Sequence, residues 1–551
     1  MSTAIRRFIL SLIGAAALTA CGGAGTSQNP PAPMPNPTPT PTPNPTPGPT
    51  PTPSQPTDIT TYKYDTNRSG QNLSESVLTT SNVKASTFGL VRFLATDGAV
   101  DAQPLYLSQL ELQGAAHRVV FVATENDSVY AFDADSGAVL WHVSLLDSGE
   151  TPSDAIGCHQ ITPQIGITST PVIDRSAGAH GILYAVAMSK RAGSYFQRLH
   201  ALDVTTGAEI AGSPATIAPT FPKAGGSVPF DPQQYAERAA LLLSRGTIYT
   251  SFTSHCDVRP YSGWVIAFNE NTLAQTAVFN AAPNSGGAGP AIWMAGGGPA
   301  ADASGNVYLL TANGAFETTL TAAGFPAQSD YGNSFLKLDG ATLQVVDYFT
   351  TYNAVAESQA DMDLGSGGIM LLPDLTDAGN VTRHLAVGAG KDGNLYVVNR
   401  DSMGKFNPAG NNIWQELGGA LHGGIWSTPA YFNHTVYYGP SGGSVTAFAI
   451  SDAKLTQVSA TTKRFIYPGS AISVSANGTG NAIVWAHENS TPGVLHAYDA
   501  NDLTNELYNS TQASNLRDQF GPGNKFITPV VADGRVLVGT QTGVAVFGLL
   551  K

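Results

Sequence analysis

Short apolar stretches separated by turns recur along most of the chain. The clearest copy spans residues 117–146, where apolar and polar positions alternate through 119–123 and again through 129–132. Alternation with a period of two is typical of β-strands that pack one face against a neighbouring sheet. Residues 135–137 are Asp-Ser-Gly, a tight turn whose glycine supplies a positive φ. Each copy therefore predicts a sheet of four short strands.

The third strand of this unit can be aligned at seven further places, which makes eight copies. The last three are anchored at Ala447, Ala497 and Ala545, a period of roughly 50 residues, and insertions separate the earlier copies. Such repeats indicate a propeller or solenoid, because each unit buries its apolar face only against its neighbours. We predict an all-β fold, an eight-bladed β-propeller, with seven blades as the alternative if one divergent copy is a loop. The aligned strands begin at residues 198, 263, 334, 394, 444, 493 and 543.

The eighth copy provides only three strands, at residues 525–531, 535–539 and 544–549. Residues 89–96 form an apolar segment ahead of the first full copy and have no partner strands of their own. We predict that this N-terminal strand completes the last blade as its outer strand, which leaves no sheet edge exposed. This closure would place the attachment point of the preceding chain on the outer rim of the ring.

The N-terminus has the pattern of a secretory signal peptide. Arg6 and Arg7 precede a short apolar run at residues 8–17, which is too brief to span a bilayer. The run ends in Leu-Thr-Ala before Cys21, a match to the bacterial lipobox, so residues 1–20 are expected to be removed and Cys21 lipidated. Several acyl chains together hold a protein on a membrane. The alternative is an ordinary signal peptide with a chance cysteine.

Residues 21–57 are predicted to link this lipid anchor to the repeat domain, residues 58–551. Proline and threonine dominate residues 28–57. Proline fixes φ and disfavours helix in the residue before it, so the segment should be an extended polyproline II stalk. At about 3.1 Å per residue it would reach on the order of 90 Å. Gly22 after the cysteine favours the outer membrane, and we expect a protein of the bacterial cell envelope that faces the periplasm or the surface.

Composition narrows the classes of function. Charged residues make up only 12% and glycines number 59, a profile typical of all-β proteins with many turns. The net charge is −13 and no run of Lys or Arg forms a basic patch, so no nucleic-acid partner is expected. The 3 cysteines show no Cys-x-x-Cys spacing, which argues against a zinc ribbon or an attached c-type haem. We expect a monomer.

The first copy resembles the repeat of the PQQ-like propellers, the quinoprotein alcohol dehydrogenase-like family, whose core is A-x-D-x-x-T-G-x-x-x-W. Ala131, Asp133, Gly137 and Trp141 occupy the matching positions, and Ser136 replaces the threonine. The resemblance extends over nearly everything after the stalk and implies the propeller fold. It does not choose a function, because this repeat serves quinoprotein dehydrogenases as well as cofactor-free scaffolds such as the lipoprotein propeller of outer-membrane assembly.

A PQQ dehydrogenase needs a pocket for a flat tricarboxylate, a Ca²⁺ bound by oxygen ligands and an Asp base beside the quinone. The resemblance would place that site on the face that carries the second-to-third-strand loops and the blade-to-blade loops. Candidates there are Asp361, Asp363, Lys391 and Asp392 for an anion or Ca²⁺, and Trp293 as a stacking surface. Asp361 and Asp363 stand two apart and can share a cation. The alternative is that these loops are polar because they are wet, with Asp and Gly shaping turns.

Two cysteines fall in loops that should open on one face. Cys158 lies between the first and second blades, and Cys256 follows the second strand of the third blade. In an oxidising compartment we expect a disulfide that clamps the two loops near the mouth of the channel. Two free buried thiols are the alternative.

Two classes of function fit this sequence. The first is a binding or scaffold module that uses the loop-bearing face for a protein or glycan partner. The second is a PQQ- and Ca-dependent oxidoreductase that acts on an alcohol, sugar or polymer. The adjacent cysteines that many alcohol-oxidising relatives carry beneath the cofactor are missing, which favours the first class. Whether the protein is an enzyme stays open, and no catalytic residue is identified.

Overall fold

The computed structural model describes residues 57–551, so the predictions for the signal peptide, Cys21 and nearly all of the stalk lie outside the described residues. Within this range no helix has the length and apolar character needed to cross a bilayer. Regular structure is almost entirely β. The described helices are the α-helix Ala354–Gln359 and the 3₁₀ turns Met294–Gly296, Leu364–Ser366 and Ser514–Leu516.

Eight antiparallel sheets, each with a four-stranded core, follow one another in a ring. The eight-bladed prediction is confirmed, and the seven-bladed alternative is wrong because every aligned copy forms its own sheet. Blade 1 consists of Leu105–Leu112, Ala115–Ala123, Ser128–Asp133 and Val139–Ser144; blade 2 of Val172–Asp174, Ile182–Arg191, Ser194–Asp203 and Ala215–Thr216; blade 3 of Tyr235–Ser244, Thr247–Ser254, Trp264–Asn269 and Gln275–Asn280; and blade 4 of Ala300–Ala301, Val307–Leu310, Ser334–Leu338 and Val345–Thr350.

The second half of the ring repeats the same order. Blade 5 consists of Met370–Leu371, Leu385–Ala389, Leu395–Asn399 and Gln415–Leu417; blade 6 of Ala430–Phe432, Thr435–Tyr438, Ser444–Ser451 and Lys454–Arg464; blade 7 of Ile472–Asn477, Gly480–Glu488, Val494–Asp499 and Asp502–Asn509; and blade 8 of Val530–Ala532, Arg535–Thr540, Gly543–Leu549 and Phe88–Ala95. The remaining strands are the hairpins Thr151–Asp154 with Gln164–Ile165, Thr220–Lys223 with Gly226–Pro229 and Leu375–Thr376 with Thr382–Arg383, and the single strand Gln71–Asn72.

Burial explains why these segments form blades. Every residue of Ser128–Asp133 is buried, whereas the fourth strand of the same blade, Val139–Ser144, is exposed or half-buried throughout. The third strand is therefore buried between blades, and the fourth strand faces solvent. The core lies between blades, as where Val120 of blade 1 packs with Leu537 of blade 8.

The last blade is closed by the chain's first long strand, which confirms that prediction. Phe88–Ala95 pairs antiparallel with Gly543–Leu549, from Phe88 opposite Leu549 to Ala95 opposite Gly543. The strand lies at the outer edge of blade 8, on the far side from Val530–Ala532. Blade 8 is thereby built from both ends of the repeat domain, and the N-terminal strand is paired within it.

Residues 58–75, named here the central segment, lie at the centre of the ring and contact the first strand of every blade. First-strand backbone groups that face the axis need partners away from bulk water, and the central segment supplies them. Ile59 exchanges two backbone hydrogen bonds with Tyr106, of 2.7 and 2.9 Å. Further backbone bonds join Ile173 to Thr60, Ala301 to Thr66, Leu371 to Asn67, Tyr431 to Ser69 and Val474 to Gly70, and side chains join Arg68 to Leu241 and Asn72 to Val531.

The central segment enters and leaves the ring by one face. It runs antiparallel to blade 1, because Asp58 accepts from the backbone N–H of Ser108 and Ile59 lies opposite Tyr106. It then returns parallel to the first strand of blade 7, with Gln71 opposite Val474. This lower face carries the hairpins between first and second strands. The predicted attachment at the outer rim is therefore wrong, because the chain reaches the axis before it reaches the rim.

Candidate functional site

A cavity of about 250 Å³, named here the axial cavity, lies at the upper face where loops from several blades meet. The blade-to-blade loops contribute aromatic and acidic side chains, and the first strand of blade 3 and the turn after the second strand of blade 5 contribute cations. The residues that line it are Gln160, Arg238, Cys256, Asp257, Trp293, Ala295, Asp363, Ser366, Lys391, Trp426, Tyr467 and Phe526.

Arg238 is a buried cation at the cavity wall. Its guanidinium carbon lies 4.3 Å from the centre of the Phe526 ring, and one of its nitrogens is 3.9 Å from Asp101. The side chain is only 6% exposed, so its charge acts through a medium less polar than bulk water. An arginine held against an aromatic face is rigid and keeps its planar group ready for an anion.

A second cation, Lys391, stands between two carboxylates. Its Nζ is 2.8 Å from Asp361 and 2.5 Å from Asp363, and Asp363 also accepts the backbone N–H of Asn313 at 2.7 Å. Burial alone would lower the pKa of Lys391, but the two carboxylates outweigh burial and raise that pKa. Burial raises the pKa of Asp363, although Lys391 opposes the shift. The cation that Asp361 and Asp363 share is therefore Lys391.

Aromatic rings form much of the remaining wall. Trp426 and Tyr467 meet edge to face, with ring centres 5.3 Å apart and planes at 75°. Trp293 stands at the start of a 3₁₀ turn in which Met294 and Ala295 have φ values of 44° and 46°. Non-glycine residues in this left-handed region store backbone strain, which is common where a fold holds a side chain at a functional site.

A carboxyl pair lies behind Arg238. Glu125 is fully buried, and its Oε2 accepts hydrogen bonds from the backbone of Gly166 at 2.7 Å and from the Thr168 hydroxyl at 3.0 Å. Burial, and then the nearby Asp101 carboxylate, raise the pKa of Glu125 well above its usual value. The other carboxyl oxygen of Glu125, Oε1, is buried without a hydrogen-bond partner among the described residues, and Asp101 stands between Glu125 and the Arg238 guanidinium.

The structure joins Cys158 and Cys256 in a disulfide with Cα atoms 5.4 Å apart. It ties the loop between blades 1 and 2 to the loop after the second strand of blade 3. Cys256 itself lines the axial cavity. The bond therefore fixes one wall of the site across a sequence separation of 98 residues.

The residues predicted from the sequence separate into three groups. Trp293, Asp363 and Lys391 line the axial cavity together, whereas Asp361 lines a neighbouring cavity on the other side of Lys391. Asp392 does not line either: it accepts from the Tyr396 hydroxyl and from the backbone N–H of Asn394, and so shapes its own turn.

The main residue that the sequence analysis missed is Arg238. It lies within the strand Tyr235–Ser244, whereas the site residues predicted from the sequence lie in loops. The signal was present, because the adjacent charges Glu237 and Arg238 interrupt a strand that is otherwise largely apolar. Both side chains are buried in the structure. Burying a charge is costly unless it is paired, so two adjacent charges in such a strand mark a position with a special role.

No protein-family model and no curated protein matches the sequence. Among solved structures, the chain is similar to quinohemoprotein alcohol dehydrogenase from Comamonas testosteroni, with 14% identity, coverage of 90% of this chain and 80% of that one, and a TM-score of 0.59. The quinohemoprotein alcohol dehydrogenase ADHIIG from Pseudomonas putida HK5 matches at 14%, with the same coverage and a TM-score of 0.61. A europium-containing methanol dehydrogenase matches at 12%, with coverage of 90% and 98% and a TM-score of 0.56.

These matches concern the fold. The chain has the fold of an eight-bladed β-propeller, and this fold is similar to that of the three dehydrogenases. Identities of 12–14% establish the fold alone, and the chemistry has to come from the side chains of this site.

Proposed function

We propose that this protein is a binding module of the bacterial cell envelope whose ligand is an acidic glycan, held at the axial cavity. The observation that carries the proposal is the combination of aromatic faces with a fixed cation in one small cavity. Trp293, Trp426 and Tyr467 supply flat surfaces, and Arg238 supplies positive charge. Each of these features recognises a different part of a sugar acid.

The size of the cavity favours a single sugar ring. Pockets for drug-sized molecules enclose about 300–1,000 Å³, and this cavity of about 250 Å³ falls just below that range. The apolar C–H face of a pyranose can stack on an indole ring, while its carboxylate accepts from Arg238. Charge-assisted hydrogen bonds of this kind are roughly twice as strong as neutral ones.

The proposed placement of the protein agrees with this use of the upper face. We propose that Cys21 carries the lipid anchor and that residues 21–57 lift a monomeric domain away from the outer membrane. The central segment enters at the lower face, so an anchor upstream of it would leave the axial cavity unobstructed. A partner in the periplasm or at the surface would then meet the loops first.

Binding can be tested with the purified full chain and tryptophan fluorescence. We expect galacturonic acid to change the emission and glucose, which lacks the carboxylate, to have a much weaker effect. Trp426→Ala should abolish the response, and the control Trp141→Phe, on the outer strand of blade 1, should retain it. Equal responses to both sugars, no response to any sugar acid, or an unchanged Trp426→Ala would contradict the proposal.

A second candidate function is that of a PQQ- and Ca-dependent oxidoreductase, which the side chains that line the axial cavity support in part. The aromatic faces and the Arg238 cation also suit a flat polycarboxylate. The calcium ligands fit less well, because the described residues contain no group of three His, Cys, Asp or Glu side chains placed around one ion. Lys391 already occupies the position between Asp361 and Asp363. The residues therefore fit the quinone's acid groups but not its calcium ion.

One experiment separates the two candidates. PQQ and Ca²⁺ are added to the full chain, and the melting temperature and dye-linked oxidation of alcohols and sugars are followed. Neither a shift nor turnover is expected if the site is a glycan site. A calcium-dependent shift together with turnover would reverse the ranking.

A further inference from the structure

A second and larger cavity, of about 510 Å³, adjoins the axial cavity on the upper face. It is named here the outer cavity. Asp257 lines both cavities, and the Asp361–Lys391–Asp363 cluster separates them, with Asp361 on the outer side and Asp363 on the axial side. The two cavities adjoin at Asp257, and together they are named here the depression, which lies over blades 3 and 4.

The outer cavity is lined mainly by groups that form hydrogen bonds. Arg259, Asn313, Ser358 and Asp361 contribute them, and Phe316 adds a half-buried ring. Arg259 is exposed, and within the described part of the chain no carboxylate lies within salt-bridge distance of its guanidinium. Its charge is thus available to a ligand that extends out of the axial cavity.

We propose that the depression binds a linear acidic oligosaccharide, with its terminal ring in the axial cavity and the following rings in the outer cavity, near Arg259. This inference rests on the proposed function and specifies the length and direction of its ligand. Successive uronate units present one carboxylate per ring. One carboxylate would meet Arg238 in the axial cavity, and a later one would meet Arg259.

A peptide is a weaker match to the same surface. Extended peptides commonly add a strand to a free sheet edge. The inner edges of the blades are not free, because the first strands contact the central segment, and Phe88–Ala95 covers the third strand of blade 8. Helical peptides need a continuous apolar groove, whereas the outer cavity is lined mainly by polar groups. Hydroxyl-rich sugar rings suit a polar depression with a few aromatic faces.

The test measures affinity against chain length, using galacturonate monomer to hexamer and the full chain in isothermal titration calorimetry. We expect affinity to rise with each added unit until the depression is filled and then to level off. Arg259→Ala should weaken the longer oligomers by roughly two- to fivefold, the value of an exposed ion pair, and leave the monomer unchanged. The matched control Arg245→Ala, on the lower face, should bind all lengths as the wild type does.

The outcomes separate this inference from the function on which it rests. Monomer binding without any gain on lengthening, or a loss in Arg259→Ala that is equal for all lengths, would overturn the extended site and leave the axial site standing. Failure of every galacturonate, the monomer included, would remove both. Displacement of a bound hexamer by a tryptic peptide mixture and not by alginate oligomers would replace the glycan by a peptide.

Discussion

Arg68 connects the central segment to the rest of the ring, and its replacement is the most direct test of how the fold is held together. The side chain is fully buried and donates four hydrogen bonds, to Pro299 O at 2.9 Å, Thr61 Oγ1 at 2.8 Å, Tyr62 O at 3.0 Å and Leu241 O at 3.0 Å. Burial lowers the pKa of Arg68 to about 10, which keeps it charged at neutral pH.

Arg68→Met keeps most of the volume and removes the donors. Three buried carbonyls then lose a charged partner, and each orphaned group costs about 1–3 kcal/mol. The variant no longer has to bury a charged guanidinium, and this saving in desolvation free energy offsets part of the cost. We therefore expect the free energy of unfolding to fall by about 3–5 kcal/mol. With an unfolding entropy of about 2.1 cal/mol/K per residue, a loss of about 1 kcal/mol lowers the melting temperature of a domain of this size by about 1 °C. The melting temperature of Arg68→Met should therefore fall by about 3–5 °C.

Hydrogen exchange shows whether the loss arises at the axis. The backbone N–H groups of Ala301, Leu371, Tyr431 and Val474 donate to the central segment. Their exchange should accelerate in Arg68→Met, while amides between the second and third strands stay protected. Arg245→Met, whose side chain lies on the surface, is the matched control. An unchanged melting temperature, or faster exchange spread evenly over all blades, would refute the reasoning.

Three further outcomes are expected. Burial lowers the pKa of Lys63 from 10.5 to about 7. Between these two pH values the unfolded chain binds one more proton than the folded chain, so the free energy of unfolding should rise with pH by up to about 1.4 kcal/mol per pH unit. Urea titrations at several pH values should show this rise in the wild type and not in Lys63→Met. The Cys158–Cys256 bond closes a loop of 98 residues, so Cys256→Ser should cost about 4–5 kcal/mol by calorimetry, and two reactive thiols in the unreduced domain would contradict it. Lys391→Met leaves Asp361 and Asp363 free to share a metal, so Ca²⁺ should raise the melting temperature of the variant and not that of the wild type.

Repetition made most of the ring predictable. Each third strand, such as Ser128–Asp133, is a short apolar run followed by a turn, and this local pattern survives in all eight copies. The closing strand Phe88–Ala95 could also be predicted, because one sheet lacked a strand and one strand lacked a sheet. Both inferences depend on counting and periodicity, which a sequence displays directly.

The central segment could not be predicted in the same way. Residues 58–75 have no apolar period, and many of their contacts to the blades are made by backbone carbonyls, which any residue type supplies. The candidate site was predicted in part for a related reason. Trp293 and Lys391 lie in loops of the expected face, but which loop residues meet at the axis depends on loop conformations that no local pattern determines.

The path of the central segment also decides how the ring would respond to traction. If the chain left from Phe88–Ala95, a pull on the N-terminus would unzip that strand from Gly543–Leu549 one bond at a time. Instead, a pull on Thr57 would first load the hydrogen bonds of Asp58 to Ser108 and of Ile59 to Tyr106, and then the anchorage of Arg68. Force is thus distributed among strands of several blades before the closing seam is strained, and the loops of the upper face would keep their arrangement under tension.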